Sequence, residues 1–127
     1  MDDFHRRGVA IVIEVGELAL VLRDLLEGVG YQVVTAPTHA LAAERALAYR
    51  TIDLLAACVP APDESRAGIY LEEAASRNPR LPVVLMLADP LERSPGAPAH
   101  AVKLVKPFGR RALLRAIEDA EAKVADR

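Results

Sequence analysis

The feature that most constrains this chain is a regular alternation between two kinds of apolar segment. Val9-Ala-Ile-Val-Ile13 is short, continuous and rich in β-branched residues, the pattern of a strand buried on both faces. Directly after it, Leu18, Val21, Leu22, Leu25 and Val29 recur at helical spacing, with Glu17, Asp24 and Glu27 on the opposite side. Gly28 and Gly30 close that helix, because glycine tolerates the left-handed backbone that a helix terminus often needs. The two-step pattern then recurs. Further strands are predicted at Tyr31–Thr35, Asp53–Val59, Pro82–Leu87 and Ala101–Val105. Further helices are predicted from Pro37-Thr38 to about Arg50, with Thr38 as N-cap, over Gly68–Arg77, and from Arg110 to about Ala125. In the last of these, Leu113, Ile117, Ala120 and Val124 form the buried stripe. Strands that alternate with helices pair in parallel through right-handed crossovers. The expected fold class is therefore α/β, an open parallel sheet of five strands in a three-layer, doubly wound arrangement.

One stretch breaks the rhythm. Between the fourth and fifth strands, where another helix is due, lies Ala88-Asp-Pro-Leu-Glu-Arg-Ser-Pro-Gly-Ala-Pro-Ala-His100. A proline inside a helix costs ~3 kcal/mol, and Pro90, Pro95 and Pro98 with Gly96 leave little room for one. The fourth helix is expected to be short or missing. Seven of the nine prolines fall between Pro60 and Pro98, which puts most of them on loops at the sheet ends, where folds of this type place their sites.

Composition narrows the function classes. The 127 residues fit one domain, 1–127. An apolar content of 52% with a net charge of −2 excludes a disordered chain. Sixteen basic residues against eighteen acidic ones argue against a nucleic-acid partner held by bulk charge. Cys58 is the only cysteine, which excludes an intrachain disulfide or a cysteine-based zinc site. No apolar run is long enough to span a membrane, and the first residues do not read as a secretory leader. A soluble, cytoplasmic domain is the expectation, with no membrane or nucleic-acid partner.

The stretches Ile11-Val-Ile-Glu-Val15, Gly30-Tyr-Gln-Val-Val-Thr-Ala36, Asp53-Leu-Leu-Ala-Ala-Cys58, Leu81-Pro-Val-Val-Leu-Met-Leu-Ala88 and Val105-Lys-Pro-Phe108 stand in a telling order. In that order and spacing the sequence resembles the receiver domain of two-component response regulators over nearly its full length. The resemblance implies a flavodoxin-like sheet of strand order 2-1-3-4-5. It also implies a site with two acidic residues ending strand one to hold Mg²⁺ and an aspartate ending strand three to accept a phosphoryl group. A Thr or Ser ends strand four, an aromatic residue lies in strand five and a lysine follows that strand. A hard cation needs oxygen ligands, and the lysine neutralises charge developing on the phosphoryl group. Carried over residue by residue, the acidic-pair positions fall on Ile13 and Glu14, and the acceptor position on Cys58. The Thr/Ser position falls on Leu87 and the aromatic switch position on Lys103. Lys106, followed by Pro107, is the retained lysine, and a cis bond before Pro107 is compatible with its place in the motif. The resemblance therefore implies a degenerate receiver, a pseudo-receiver without the acceptor aspartate.

Each residue has a plainer reading beside this one. Cys58 ends an apolar strand with no second cysteine and no histidine near it in sequence, so it reads as a small core residue. Glu14 reads as the ion-pair partner of Lys106, because Glu14 and a cysteine make a poor Mg²⁺ site. Asp63, Glu64 and Asp89 sit on loops at the same edge and read as solvated surface. His5, His39 and His100 have no metal-ligand spacing and read as a terminus and two loops. Arg110 and Arg111 read as an exposed basic pair, and Asp53 as the start of a strand and the stabiliser of a turn. The expectation is a signalling and interaction module, not an enzyme, that works without phosphorylation and needs no metal or cofactor. Its partner is a signalling protein or a second copy, met through strand five and the last helix. The alternatives are a conventional response regulator with non-standard chemistry, a flavodoxin-like small-molecule binder, and a thiol enzyme centred on Cys58.

Overall fold

Each type of apolar segment folds as its period dictates. The computed structural model describes residues 8–59, 67–94 and 96–125. In chain order they form β1 (Gly8–Ile13), α1 (Gly16–Gly28), β2 (Tyr31–Ala36), α2 (His39–Ala46), β3 (Leu54–Val59), α3 (Ala67–Arg77), β4 (Val83–Leu87), β5 (Val102–Val105) and α4 (Arg110–Ala125). All five strands run parallel in the order β2-β1-β3-β4-β5, a doubly wound, flavodoxin-like sheet. The order reverses between β1 and β3, so the crevice above their carboxyl ends is the switch point of the sheet.

The continuous apolar runs are the innermost strands. All six residues of β3 and all five of β4 are buried, because a parallel sheet is covered on both faces. Side chains alternate along each strand. Ile11, Ile13 and Leu55 face the side where α2 and α3 lie. On the opposite face, α4 packs against β4 and β5, and α1 against β1 and β2. The Tyr31 hydroxyl donates to Glu121 Oε2 at 2.9 Å, which ties β2 to α4.

Several expectations meet the structure at the level of single residues. Thr38 caps α2 by accepting from the Leu41 N–H at 3.1 Å, which satisfies one of the donors a helix start leaves open. In α4, Leu113, Ile117, Ala120 and Val124 are buried as the spacing predicts. Two readings need correction. The inner face of α1 is Ala19, Leu22 and Leu26, while Val21 is about half exposed. Helix α2 ends at Ala46, not near Arg50. There Leu47, Ala48 and Tyr49 donate to the carbonyls of Glu44, Arg45 and Ala46, three residues back, a tightening that ends helices.

No helix forms between β4 and β5 among the described residues. Short turns replace it, with the Glu92 N–H donating to Asp89 O at 3.0 Å and the Ala101 N–H to Pro98 O at 3.1 Å. Gly96 sits at φ +83 against the first turn of α3, where a Cβ would lie 2.1 Å from Gly68 O. Lacking a side chain, Gly96 lets this loop lie directly on the α3 backbone.

The entry to β1 is clamped at two points by Asp53. The Val9 N–H donates to Asp53 Oδ2 at 2.8 Å, and the Asp53 N–H donates to Val9 O at 2.8 Å. Gly8 precedes this clamp at φ +100, and a Cβ there would lie 2.0 Å from Asp53 Oδ2. Gly8→Ala is expected to lower unfolding stability by about 2 kcal/mol through backbone strain and loss of the clamp. Gly28→Ala, at a helix end with open space around it, is expected to be neutral or to gain about 0.5 kcal/mol. Urea denaturation of the two variants checks the contrast, and equal effects would count against the clamp.

Candidate functional site at the carboxyl edge of the sheet

Parallel strands end together, so the positions singled out in the sequence converge on one edge. Ile13 ends β1 and Glu14 follows it, Cys58 lies next to last in β3, Leu87 ends β4, and Lys106 follows β5. Register fixes their neighbours. Ile13 pairs with Ala57 on one side and Ala36 on the other, Cys58 pairs with Met86, and Leu87 lies between Val59 and Val105.

One ion pair bridges this edge. Lys106 Nζ stands 2.5 Å from Glu14 Oε2, with the Glu14 side chain 5% exposed and that of Lys106 30% exposed. The other Glu14 oxygen accepts from the Val15 N–H at 3.1 Å. Both residues are also held by their backbones: the Glu14 N–H donates to Ala36 O at 3.1 Å, and the Lys106 N–H to Leu87 O at 2.8 Å. The Lys106–Pro107 bond is cis. Charges from β1 and β5 thus meet across the carboxyl ends of the strands between them. A buried carboxylate is costly to leave alone, and Lys106 supplies its counter-charge.

The other positions carry little polar chemistry. Ile13, Cys58 and Leu87 are 2%, 2% and 0% exposed, and the Cys58 side chain belongs to the core. Lys103 is exposed on β5 and pairs in register with Leu85. Asp89 is exposed on the loop after β4, where its Oδ1 accepts from the Leu91 N–H at 2.8 Å and so closes a turn. Asp63 and Glu64 lie outside the described residues. The two acidic-pair positions hold a hydrocarbon and a carboxylate already matched to a lysine, a donor set that does not fit Mg²⁺, which needs several oxygen ligands in octahedral geometry. Among the described residues no three His, Cys, Asp or Glu side chains gather in metal-binding geometry.

Two residues read as loop histidines prove to be internal supports. His39 opens α2, is 1% exposed, and places Nε2 3.1 Å from the Cys58 carbonyl oxygen. A carbonyl can only accept, so this nitrogen carries the proton. His39 thereby fixes the end of β3 beside the switch point. His100 is 9% exposed and places Nε2 2.9 Å from the Leu81 carbonyl oxygen, which ties the loop before β5 to the entry of β4. The sequence held a signal for His39: it follows the cap residue Thr38 and precedes the buried Ala42 by three, so it lies on the inner face of the helix.

The pairing at this edge has a stability consequence. Lys106→Met is expected to cost about 1–3 kcal/mol, below the range for a fully buried pair because Lys106 retains some solvent. The double variant Glu14→Gln/Lys106→Met should recover most of that loss, since no buried charge then lacks a partner. Urea denaturation of the two single variants and the double variant completes the cycle. Additive losses would show that the two side chains do not stabilise one another.

No protein-family profile matches the chain, and no curated protein matches it. Solved structures do. A response regulator receiver protein from Sinorhizobium medicae superposes with a TM-score of 0.78 at 19% identity, covering 95% of this chain and 99% of that one. A CheY-like response regulator receiver domain from Methanospirillum hungatei gives 0.76 at 22% identity, covering 96% and 98%. The signal receiver domain of an HD domain-containing protein from Pseudomonas fluorescens gives 0.73 at 21% identity, covering 97% and 100%. With the strand order and the edge geometry already described, these likenesses establish that the chain has the fold of a response-regulator receiver domain.

Proposed function

We propose that this chain is a pseudo-receiver, a signalling and interaction module that works without phosphorylation. The observation that carries the reading is the Glu14–Lys106 pair at 2.5 Å. Phosphoryl transfer to a receiver needs a carboxylate nucleophile, a metal held by oxygens, and a lysine free to meet the incoming charge. At this edge the lysine is already neutralised from within, and a buried thiol and a buried leucine stand at the acceptor and hydroxyl positions. The domain binds and does not catalyse. It holds one conformation and acts by being present.

The contact surface in this reading is β5 with α4, met by a signalling protein or by a second copy of the chain. Three features support it. The strand β5 is one of the two edges of the sheet, with no strand beside it on one side among the described residues. The crossover before it carries no helix among the described residues, which leaves its flank less covered. Lys103 is exposed on that strand, a charge that discourages indiscriminate edge pairing and favours a matched partner. Neither the site nor the surface calls for a membrane or nucleic acid, and no described helix is long and apolar enough to cross a membrane.

Acetyl phosphate, or beryllofluoride with Mg²⁺, is expected to leave the intact mass and the amide spectrum unchanged. Cys58→Asp alone should not restore a response, because Ile13 and Leu87 still occupy the metal and hydroxyl positions. Intact-mass and amide-shift measurements on both chains provide the check. A stable adduct on the wild-type chain, with shifts running from Cys58 to Lys103, would return it to the phosphorylated response regulators.

A further inference from the structure

Two helices on one face of the sheet carry surface charge of opposite sign. On α1, Glu17, Asp24 and Glu27 are exposed, and Leu20 and Val21 are each about half exposed. By helical geometry Glu17 and Asp24 lie opposite the buried Ala19, Leu22 and Leu26, with Leu20 and Val21 to either side. On α4, Arg110, Arg111 and Arg115 are exposed and line one shallow hollow with Leu114 and Glu118. Arg111 and Arg115 lie opposite the buried stripe of that helix. Among the described residues none of these three carboxylates of α1 and none of these three guanidinium groups has an ion-pair partner.

These charges do not serve the helices that carry them. Arg110 and Arg111 open α4, whose first turn holds no acidic residue, although the peptide dipoles disfavour a cation there. Glu27 stands in the last turn of α1, which holds no basic residue, and there the dipoles disfavour an anion. The two helices also share their heights. Each follows a parallel strand, so both start at the carboxyl edge and run back along the same face. Glu121 is 11 residues beyond Arg110, as Glu27 is 11 beyond Gly16. Its bond to the Tyr31 hydroxyl places it beside the start of β2, near the level where α1 ends.

We propose that the α1–α4 face pairs with a second copy of this chain, α1 of each copy lying along α4 of the other. A two-fold axis running along the helices sets residues of equal height against each other and repeats every contact. Glu17 of one copy then meets Arg110 and Arg111 of the second copy. Leu20 and Val21 meet Leu114 and the hydrocarbon stem of Arg115, whose head reaches Asp24. Glu118 stands one turn further on, so Arg115 lies between the two carboxylates. An apolar centre inside a charged rim is the usual anatomy of a specific interface. Charge also selects the occupant: stacking α1 on α1 sets carboxylate against carboxylate, and a partner of one sign answers only half of the face. The pairing rests on the reading of α4 as a contact surface and names its partner; it makes no use of the carboxyl edge.

Sedimentation velocity of the whole chain over a range of concentrations, at low and at high salt, tests the proposal. A monomer–dimer equilibrium is expected, weaker at high salt because the rim pairs are screened. Glu17→Arg and Arg111→Glu should each raise the dissociation constant about tenfold, since each sets like charges together twice per dimer. The double variant Glu17→Arg/Arg111→Glu should return it to near the wild-type value. Leu20→Ser/Val21→Ser should leave the chain monomeric. All four positions are exposed, and circular dichroism with thermal melting reports on the fold of each variant. A monomeric wild-type chain, a dimer indifferent to the single reversals, or a double reversal no tighter than the singles would each overturn the pairing. So would a dimer broken by Lys103→Glu but not by Arg111→Glu, which would move the contact to β5. A monomeric chain would still leave α4 to a signalling protein, whereas an adduct with acetyl phosphate would sink the reading of the carboxyl edge and leave the pairing intact.

Discussion

A parallel strand cannot return to its neighbour by a tight turn, so every connection in this sheet must climb over one face. That constraint organises the molecule. It buries β3 and β4 completely, places all carboxyl ends on one edge, and sets the helices on the two faces. It also makes the β4–β5 connection unusual. A crossover is required there, yet the prolines deny it a helix. The chain completes it with turns, with His100 bonded to the Leu81 carbonyl, and with Gly96 lying on the backbone of Gly68. Backbone contact and a buried histidine do the work that an amphipathic helix does elsewhere in the sheet.

The same gathering of strand ends dictates the electrostatics of the carboxyl edge. Glu14 and Lys106 are 92 positions apart in sequence, by subtraction of their numbers, and meet because β1 and β5 are parallel. Around them the positions are hydrocarbon or thiol, so each member of the pair is the counter-charge of the other. His39 adds a second tether at this edge by holding the Cys58 carbonyl.

Receiver-like shape and binding capacity are separable properties of the fold. The carboxyl edge is tightly filled, with Ile13, Cys58 and Leu87 all buried. Glu14 and Cys58 lie at the carboxyl edge, while Arg50 and Ile52 lie beside the entry to β3.

Much of this was legible in the sequence, for identifiable reasons. Continuous β-branched runs marked the buried strands, and helical periodicity with Thr38 as cap marked the helices. The prolines between Pro90 and Pro98 excluded a helix through local geometry alone. The Glu14–Lys106 pair was legible too, since a motif lysine at the edge of an apolar pocket needs a counter-charge. What local pattern could not carry is whatever depends on distant neighbours. Whether Val21 or Leu26 lies inward on α1 depends on where the sheet lies, and where α2 stops depends on when the chain must straighten to enter β3. His39 became a core residue because the end of β3 offers it a carbonyl. Sequence determined the elements, since backbone propensity and hydrophobic period act over a few residues. Tertiary structure alone decided the burial of His39 and His100 and the end of α2, since these follow from packing between segments far apart in the chain.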